Sequence, residues 1–456
     1  MFLINAIKKY SRKRKALFTT PGHHQGKVAP PSVKNLLGKN IFLADLSEIE
    51  GLDNLQNPEN TILKSQQHAA QVYGARDTFY LINGSSSGIL ALFLATLKRG
   101  DKVLIARNAH KSVINALILT GANPVWYNTD WDSKWDMPTF PNEIKNQIEA
   151  NPDIKMVFIT NPTYYGIIID IKPIAEICKE KNVILAVDEA HGALWNYSEQ
   201  FPESSILNGA DVCVQSLHKT ACSLTPSALL HLSKESKIQA EAIQKSLNLI
   251  NTTSPSYPIL ASIEGCINYL TTPSAKLKIE ELIKNIKLLK SELEETGEYE
   301  FLEDTENFKV DPTRIFAKLK GVNGHDLDDY LQNKTPVEVE LSNNSGILAI
   351  TGIGTDKVML NQLKAALLKA AKKLPKTNQV NNFRTQLLNP KTIMTPQEAF
   401  NAKSREIDIN EAQGMVSAES IVKYPPGVPV LIAGEEITAE HIAIIGNNTK
   451  IKVIEL

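Results

Sequence analysis

Asp211-Val212-Cys213-Val214-Gln215-Ser216-Leu217-His218-Lys219-Thr220 decides the fold. Its first five residues read as a short buried strand, and a lysine follows beside Ser, His and Thr. Upstream, Ile184-Leu185-Ala186-Val187-Asp188 repeats the pattern: an apolar strand ends on a carboxylate, followed by Glu189-Ala190-His191-Gly192. Thr78–Ile82, Lys102–Ala106, Pro124–Tyr127 and Met156–Thr160 read as further strands. Helices are predicted over Thr61–Tyr73 (with Thr61 as N-cap), Ser87–Leu97, His110–Thr120 and Ile171–Lys181. Short apolar strands alternating with helices predict βαβ crossovers and a mostly parallel sheet. Such a sheet binds ligands beyond the carboxyl ends of its strands.

Those ends carry unusual polar residues. Asn83-Gly84-Ser85-Ser86-Ser87-Gly88 is read as a loop entering a helix. Small residues let backbone approach an anion, hydroxyls donate to it, and a helix N-terminus favours negative charge. A plain helix N-cap would look similar. The loop lacks the lysine of an ATPase P-loop, so the Asp188-Glu189-Ala190-His191 letters shared with helicases carry no weight here. A carboxylate at a parallel-strand end needs a cationic partner, which a protonated ring nitrogen would supply. Lys219 is a candidate amine for an aldehyde, its pKa lowered by desolvation and neighbouring cations. A phosphate loop, then Asp188, then Lys219 is the order that a pyridoxal phosphate site needs. His110, in Arg107-Asn108-Ala109-His110-Lys111-Ser112, could stack on the ring or cap its helix.

Composition sets bounds. The 456 residues suggest roughly three domains. Apolar residues make up 43% of the chain, and 49 basic against 50 acidic residues leave a net charge of −1. The global field therefore attracts neither nucleic acid nor anionic lipid. Lys8, Lys9, Arg12, Lys13, Arg14 and Lys15 form a basic cluster, read as the solvated face of a helix packed on a partner subunit. Cys178, Cys213, Cys222 and Cys266 have neither CxxC nor zinc-type spacing, so buried free thiols are expected, and no metal site. The stretch Thr78–Leu97 is uncharged but broken by the Ser-rich loop, so no membrane span is expected. The start of the chain lacks a signal peptide's apolar core, and a cytoplasmic location is expected.

Residues 1–60 read as an arm, 61–295 as the large domain, 296–375 as a smaller α/β domain and 376–456 as a small C-terminal domain. The smaller domain has strands over Ile315–Leu319 and Gly346–Ile350 and closes on a Lys-rich helix, Lys357–Leu374. Lys376-Thr377-Asn378-Gln379 reads as a linker.

Taken in order, these stretches resemble the ornithine/lysine/arginine decarboxylases of the aspartate-aminotransferase fold. The resemblance rests on Thr20–Gly26 (TPGHHQG), Gly51–Leu55 (GLDNL), Asn83–Gly88 (NGSSSG), Asn108–Ser112 (NAHKS), Asn161–Gly166 (NPTYYG), Asp188–Gly192 (DEAHG) and Ser216–Thr220 (SLHKT). Tyr424–Pro429 (YPPGVP) with Gly434-Glu435 extends it through the tail. It implies an α/β fold: a large domain with a mostly parallel, seven-stranded-type sheet, a smaller α/β domain and a small C-terminal domain. The length resembles the family's short form. By resemblance, Lys219 would hold the aldehyde carbon of pyridoxal 5′-phosphate and Asp188 its ring nitrogen. His191 would lie near the phenolic oxygen, and His110 would stack on the ring. Ser85 and Ser86 would bind the phosphate, helped by Ser216 and His218. The Gly51–Leu55 loop would approach the site across a homodimer interface.

The implied reaction is decarboxylation of a basic L-amino acid, arginine before lysine or ornithine, compatible with polyamine supply. Alternatives are another reaction on the same cofactor, amino transfer or retro-aldol cleavage, or a non-catalytic regulatory relative. Leu217, Met415 and Ala433 depart from the usual pattern. The substrate's distal cation needs a carboxylate, and Asp53, Glu50 and Glu411 are the candidates.

Overall fold

The computed structural model describes all residues except 13–15, 140–142, 378–387, 389, 424–427, 447–448 and 456. Lys13, Arg14 and Lys15 of the basic cluster, Asn378 and Gln379 of the expected linker, and Tyr424–Gly427 lie outside the described residues.

The central sheet comprises β1 (Asp77–Leu81), β2 (Lys102–Ala106), β3 (Asn123–Tyr127), β4 (Ile154–Thr160), β5 (Ile184–Asp188), β6 (Val212–Gln215) and β7 (Ala228–Leu232). Its order is β1-β7-β6-β5-β4-β2-β3. Only β7 runs against the others, pairing antiparallel with β1 and β6. Alternate residues feed opposite layers. Val103 and Ile105 of β2 join one apolar cluster and Leu104 and Ala106 another. Burial on both faces explains why these strands are apolar runs.

Strand β7 was not among the expected strands. Its run is only Ala228-Leu229-Leu230 before His231, which is fully buried. Its Nδ1 lies 2.8 Å from Thr78 Oγ1, the residue directly opposite it in the β1–β7 ladder. A buried histidine thus interrupts the apolar signal.

The main helices are α1 (Leu3–Ser11), α2 (Thr61–Tyr73), α3 (Gly84–Thr96), α4 (Lys111–Thr120), α5 (Leu217–Thr220), α6 (Tyr257–Leu270) and α7 (Pro273–Glu294). Helix α3 begins at Gly84, three residues before the expected start, so the serines form its first turn rather than a loop. Gly88 is required where α3 meets the sheet: a Cβ there would lie 2.7 Å from Leu81 Cδ1 and 3.0 Å from Val214 Cγ1.

Two helix ends are held by distant carboxylates. Glu264 of α6, 1% exposed, accepts the N–H groups of Phe2, Leu3 and Ile4 and so fixes the start of α1. Helix α1 buries Leu3 and Ile7 against its own chain and leaves Lys8, Lys9 and Arg12 exposed. Leu3 and Ile7 are therefore covered within the protomer. The expected N-cap Thr61 is not used either. Asp53 accepts the N–H groups of Asn60 and Ile62 at 2.8 and 2.9 Å, and that of Glu59 at 3.1 Å. Loss of such a cap costs about 1–2 kcal/mol. Asp53→Ala is therefore expected to lower the free energy of unfolding by that amount, read from the shifted denaturation midpoint; an unchanged midpoint would contradict the capping role.

After α7, β8 (Tyr299–Phe301), β9 (Arg314–Leu319), β10 (Leu341–Ser342) and β11 (Ile347–Ile350) form an antiparallel sheet in the order β8-β9-β11-β10. Leu282, Ile286 and Leu289 of α7 pack on Ile315 and Ala317 of β9. This unit touches the large one beside Lys219. Ile353 N–H donates to Thr220 O at 2.9 Å, and Gly352 passes so close that a Cβ would lie 2.6 Å from the same oxygen.

Beyond residue 390, Ser404–Asp408 pairs with Lys450–Ile454 over a small core of Ile409, Leu431, Ile437, Ile451 and Val453. Helix Pro396–Asn401 docks on α4, where Gln397 Nε2 donates to Ile118 O at 2.9 Å. Among the described residues, no helix is long and apolar enough to cross a membrane.

Candidate active site

A cavity of about 250 Å³ opens at the carboxyl ends of β1, β2, β4, β5 and β6. Its lining includes Ser85, Asn108, His110, Thr160, Thr163, Tyr164, Asp188, His191 and Lys219, with Val428 from the C-terminal region. Parallel strands all deliver their ends to one edge, so residues far apart in sequence converge.

Lys219 Nζ lies 2.9 Å from His191 Nε2. On the other side of the imidazole, Arg314 Nη2 lies 3.0 Å from Nδ1. A guanidinium can only donate, so His191 Nδ1 must accept and the ring proton resides on Nε2. That proton then points at Lys219, whose nitrogen accepts it as a neutral amine. The electrostatics agree. Burial pushes His191 well below its ordinary pKa, and the Arg314 charge pushes the same way. Burial also lowers the Lys219 amine; Asp188 opposes that shift and Arg314 adds to it.

Asp188 is 5% exposed and accepts the Ala190 N–H at Oδ1, 3.1 Å. Its neighbour Glu189 faces away. It is fully buried and bonded to Ser204 Oγ (2.7 Å), Ser205 N–H (2.7 Å) and Gln215 Nε2 (2.5 Å), so it holds strands together. His110 fills the capping role considered for it, and it also faces the cavity. Its Nδ1 caps α4 by accepting the Ser112 N–H at 3.2 Å, and its ring lines the cavity. Burial lowers its pKa, and Asp188 opposes the shift.

The remaining expected residues are placed less centrally. Ser86 sits beside Ser85 in the first turn of α3 but does not line the cavity. Ser216 is the buried residue preceding α5. His218 turns aside, its Nδ1 donating to Ser227 O at 2.9 Å. Of the carboxylates considered for a substrate cation, Asp53 is occupied by backbone N–H groups, and Glu50 and Glu411 are exposed residues that do not line the cavity.

Sequence reasoning missed Arg314 and Glu340. Arg314 is fully buried at the start of β9. Tyr164, whose ring meets His191 edge-on at 4.8 Å, donates its hydroxyl to Glu340 Oε1. Only a buried arginine opening an otherwise apolar strand hinted at the first, and no local pattern marked the second.

The donor set fits a group with a phosphate at one end and a basic ring nitrogen at the other. Among the described residues, Ser216 Oγ and Thr160 Oγ1 are buried without a hydrogen-bond partner, and no side chain caps α3. An anion at the first turn of α3 would find free N–H groups there, and Asp188 supplies the counter-charge for a ring cation.

Residues 2–358 match the family described as Orn/Lys/Arg decarboxylase, major domain, and residues 376–447 match its C-terminal domain. An arginine decarboxylase of Bacillus subtilis is 33% identical over 98% of this chain and 93% of its own. The constitutive lysine decarboxylase of Escherichia coli is 23% identical over 96% of this chain and 76% of its own. Among solved structures, the lysine decarboxylase of Francisella novicida superposes with a TM-score of 0.86 at 21% identity, covering 100% of this chain and 81% of that one.

Proposed function

The chain belongs to the Orn/Lys/Arg decarboxylase family, and from that premise we propose that it converts arginine to agmatine and carbon dioxide with pyridoxal 5′-phosphate held at Lys219. The observation that carries this reading is the convergence of Lys219, Asp188 and the Ser85 turn on one cavity. Bound there, the cofactor would supply an electron sink for the pair left when the carboxylate departs.

The chain's own residues do the rest. Ser85 and Ser86, with Ser216, would hold the phosphate, and His110 would lie against the ring. Asp188 would keep the ring nitrogen protonated, because a buried carboxylate favours an adjacent cation. Arg314 fixes the His191 tautomer, and His191 keeps a proton on Nε2 beside Lys219. That pair is placed to return a proton to the substrate's α-carbon. His218, bonded to Ser227 O, steadies the turn that carries Lys219.

The distal cation of the substrate needs a carboxylate that Asp188 cannot be. Glu340 is our candidate. It is bonded to Tyr164 of the lining, and its charge reaches both Lys219 and Arg314. A charge-assisted hydrogen bond contributes about 1.5–3 kcal/mol. Glu340→Gln should therefore raise KM for arginine about 10- to 100-fold and change kcat less, in steady-state assays of amine release. An unaltered KM would remove Glu340 from substrate recognition.

The homodimer remains part of the proposal. The arm exposes Phe18, Val28, Leu36 and Leu37, an apolar surface that a partner would cover. The deciding experiment incubates the purified protein with pyridoxal phosphate and each of arginine, lysine and ornithine. Agmatine and carbon dioxide from arginine are expected. A keto acid or an aldehyde as product, or no amine from any of the three, would overturn the reading.

A further inference from the structure

Cys222 and Cys266 bring their sulfurs to 3.6 Å. The two thiols are unlike. Cys222 is exposed in the segment 221–227 that follows α5, contrary to the expectation that every thiol is buried. Cys266 is 3% exposed on α6, inside an apolar cluster. Contact with Cys266 lowers the Cys222 thiol to about 7, which favours its thiolate. The same contact, together with burial, pushes Cys266 up and keeps its proton on. A low-pKa, accessible thiolate beside a second thiol is the arrangement of a redox pair. Cys178 and Cys213 lack it: both are buried, and burial raises them.

We propose that Cys222 and Cys266 are a peroxide-oxidisable dithiol, with Cys222 as the attacking sulfur and Cys266 as the resolving one. The Cys222 thiolate attacks hydrogen peroxide. An S–O bond forms as the O–O bond breaks, and the hydroxide released takes up the proton that Cys222 gave to solvent. The Cys266 sulfur then attacks the sulfenic sulfur. The S–S bond forms as the S–O bond breaks, and the departing hydroxide leaves as water with the Cys266 proton. The two thiols lose two electrons and the peroxide gains two, giving two waters.

Closure to a bond of about 2.05 Å moves the loop, because Cys266 is anchored in the core. That loop is tied to the site. Leu224 N–H donates to Ser262 Oγ at 3.2 Å, Pro226 O accepts the Gly84 N–H at 2.7 Å, and Ser227 O accepts from His218 at 2.9 Å. Oxidation therefore pulls on the segment joining Lys219 to the Ser85 turn.

The test treats the full chain with one equivalent of hydrogen peroxide, alkylates the remaining thiols and weighs the peptides. A joined peptide pair containing Cys222 and Cys266, lighter by two hydrogens and separated by dithiothreitol, is expected. Cys178 and Cys213 should remain alkylated. Cys266→Ala should leave a sulfenic acid at Cys222 that dimedone traps, and Cys222→Ser should leave Cys266 reduced. The proposal is overturned if wild-type Cys222 and Cys266 are both recovered alkylated. It is equally overturned if Cys222 reaches the sulfinic acid unjoined, or links to a second Cys222.

Discussion

Arg107→Met is expected to lower the free energy of unfolding by about 3–5 kcal/mol, the cost of breaking a buried ion pair from one side. Arg107 and Glu435 are each 1% exposed, and the guanidinium meets the carboxylate through both terminal nitrogens. Without Arg107, Glu435 keeps one described donor, the Ile432 N–H at 2.8 Å, and a charge it cannot hydrate. The double variant Arg107→Met/Glu435→Leu should recover most of the loss, because two apolar side chains leave no orphaned charge. Denaturant midpoints at constant slope would read both effects. A single variant as stable as the wild type would refute the assignment. The pair also matters to the site. Arg107 precedes Asn108 and His110, both in the cavity lining, so Glu435 anchors from the C-terminal region the segment that presents His110 to the cavity.

How much of this was legible depends on how local each signal was. Strands β2 and β5 were readable to the residue, because apolar runs bounded by charge carry their own limits. That Ser85, His110, Asp188 and Lys219 would come together was readable because they sit at strand ends, a place that the α/β alternation predicts. Strand β7 was not, since burial of His231 is made possible by Thr78 on another strand. The start of α3 was misplaced because Ser85 and Ser86 favour caps and turns by propensity, and tertiary packing of Gly88 on the sheet overrides this. Asp53 looked like a free carboxylate, and only the fold shows that the backbone of the following turn consumes it. Arg314 and Glu340 come from the second unit, and no spacing rule connects β9 or residue 340 with Lys219.

Arg314→Leu is expected to lower kcat by about 10²- to 10⁴-fold, the span of a lost general acid–base contribution, while changing KM for arginine much less. The argument runs through His191. With the guanidinium present, Nδ1 must accept and Nε2 must carry the proton facing Lys219. With leucine there, the ring is free to place its proton on Nδ1, and the Nε2 lone pair then faces the amine. The pH profile separates this from a structural defect. Burial holds both His191 and Lys219 below their ordinary pKa values, and the Arg314 charge adds to it. Removing that charge lets both rise, so each group keeps its proton to higher pH. The acid limb of the kcat profile should therefore move to higher pH in the variant, and Arg314→Lys, which keeps the charge without the fork, should move it less. A variant that loses rate with an unmoved acid limb would make Arg314 a packing residue; one that keeps its rate would remove the Arg314–His191–Lys219 chain from catalysis.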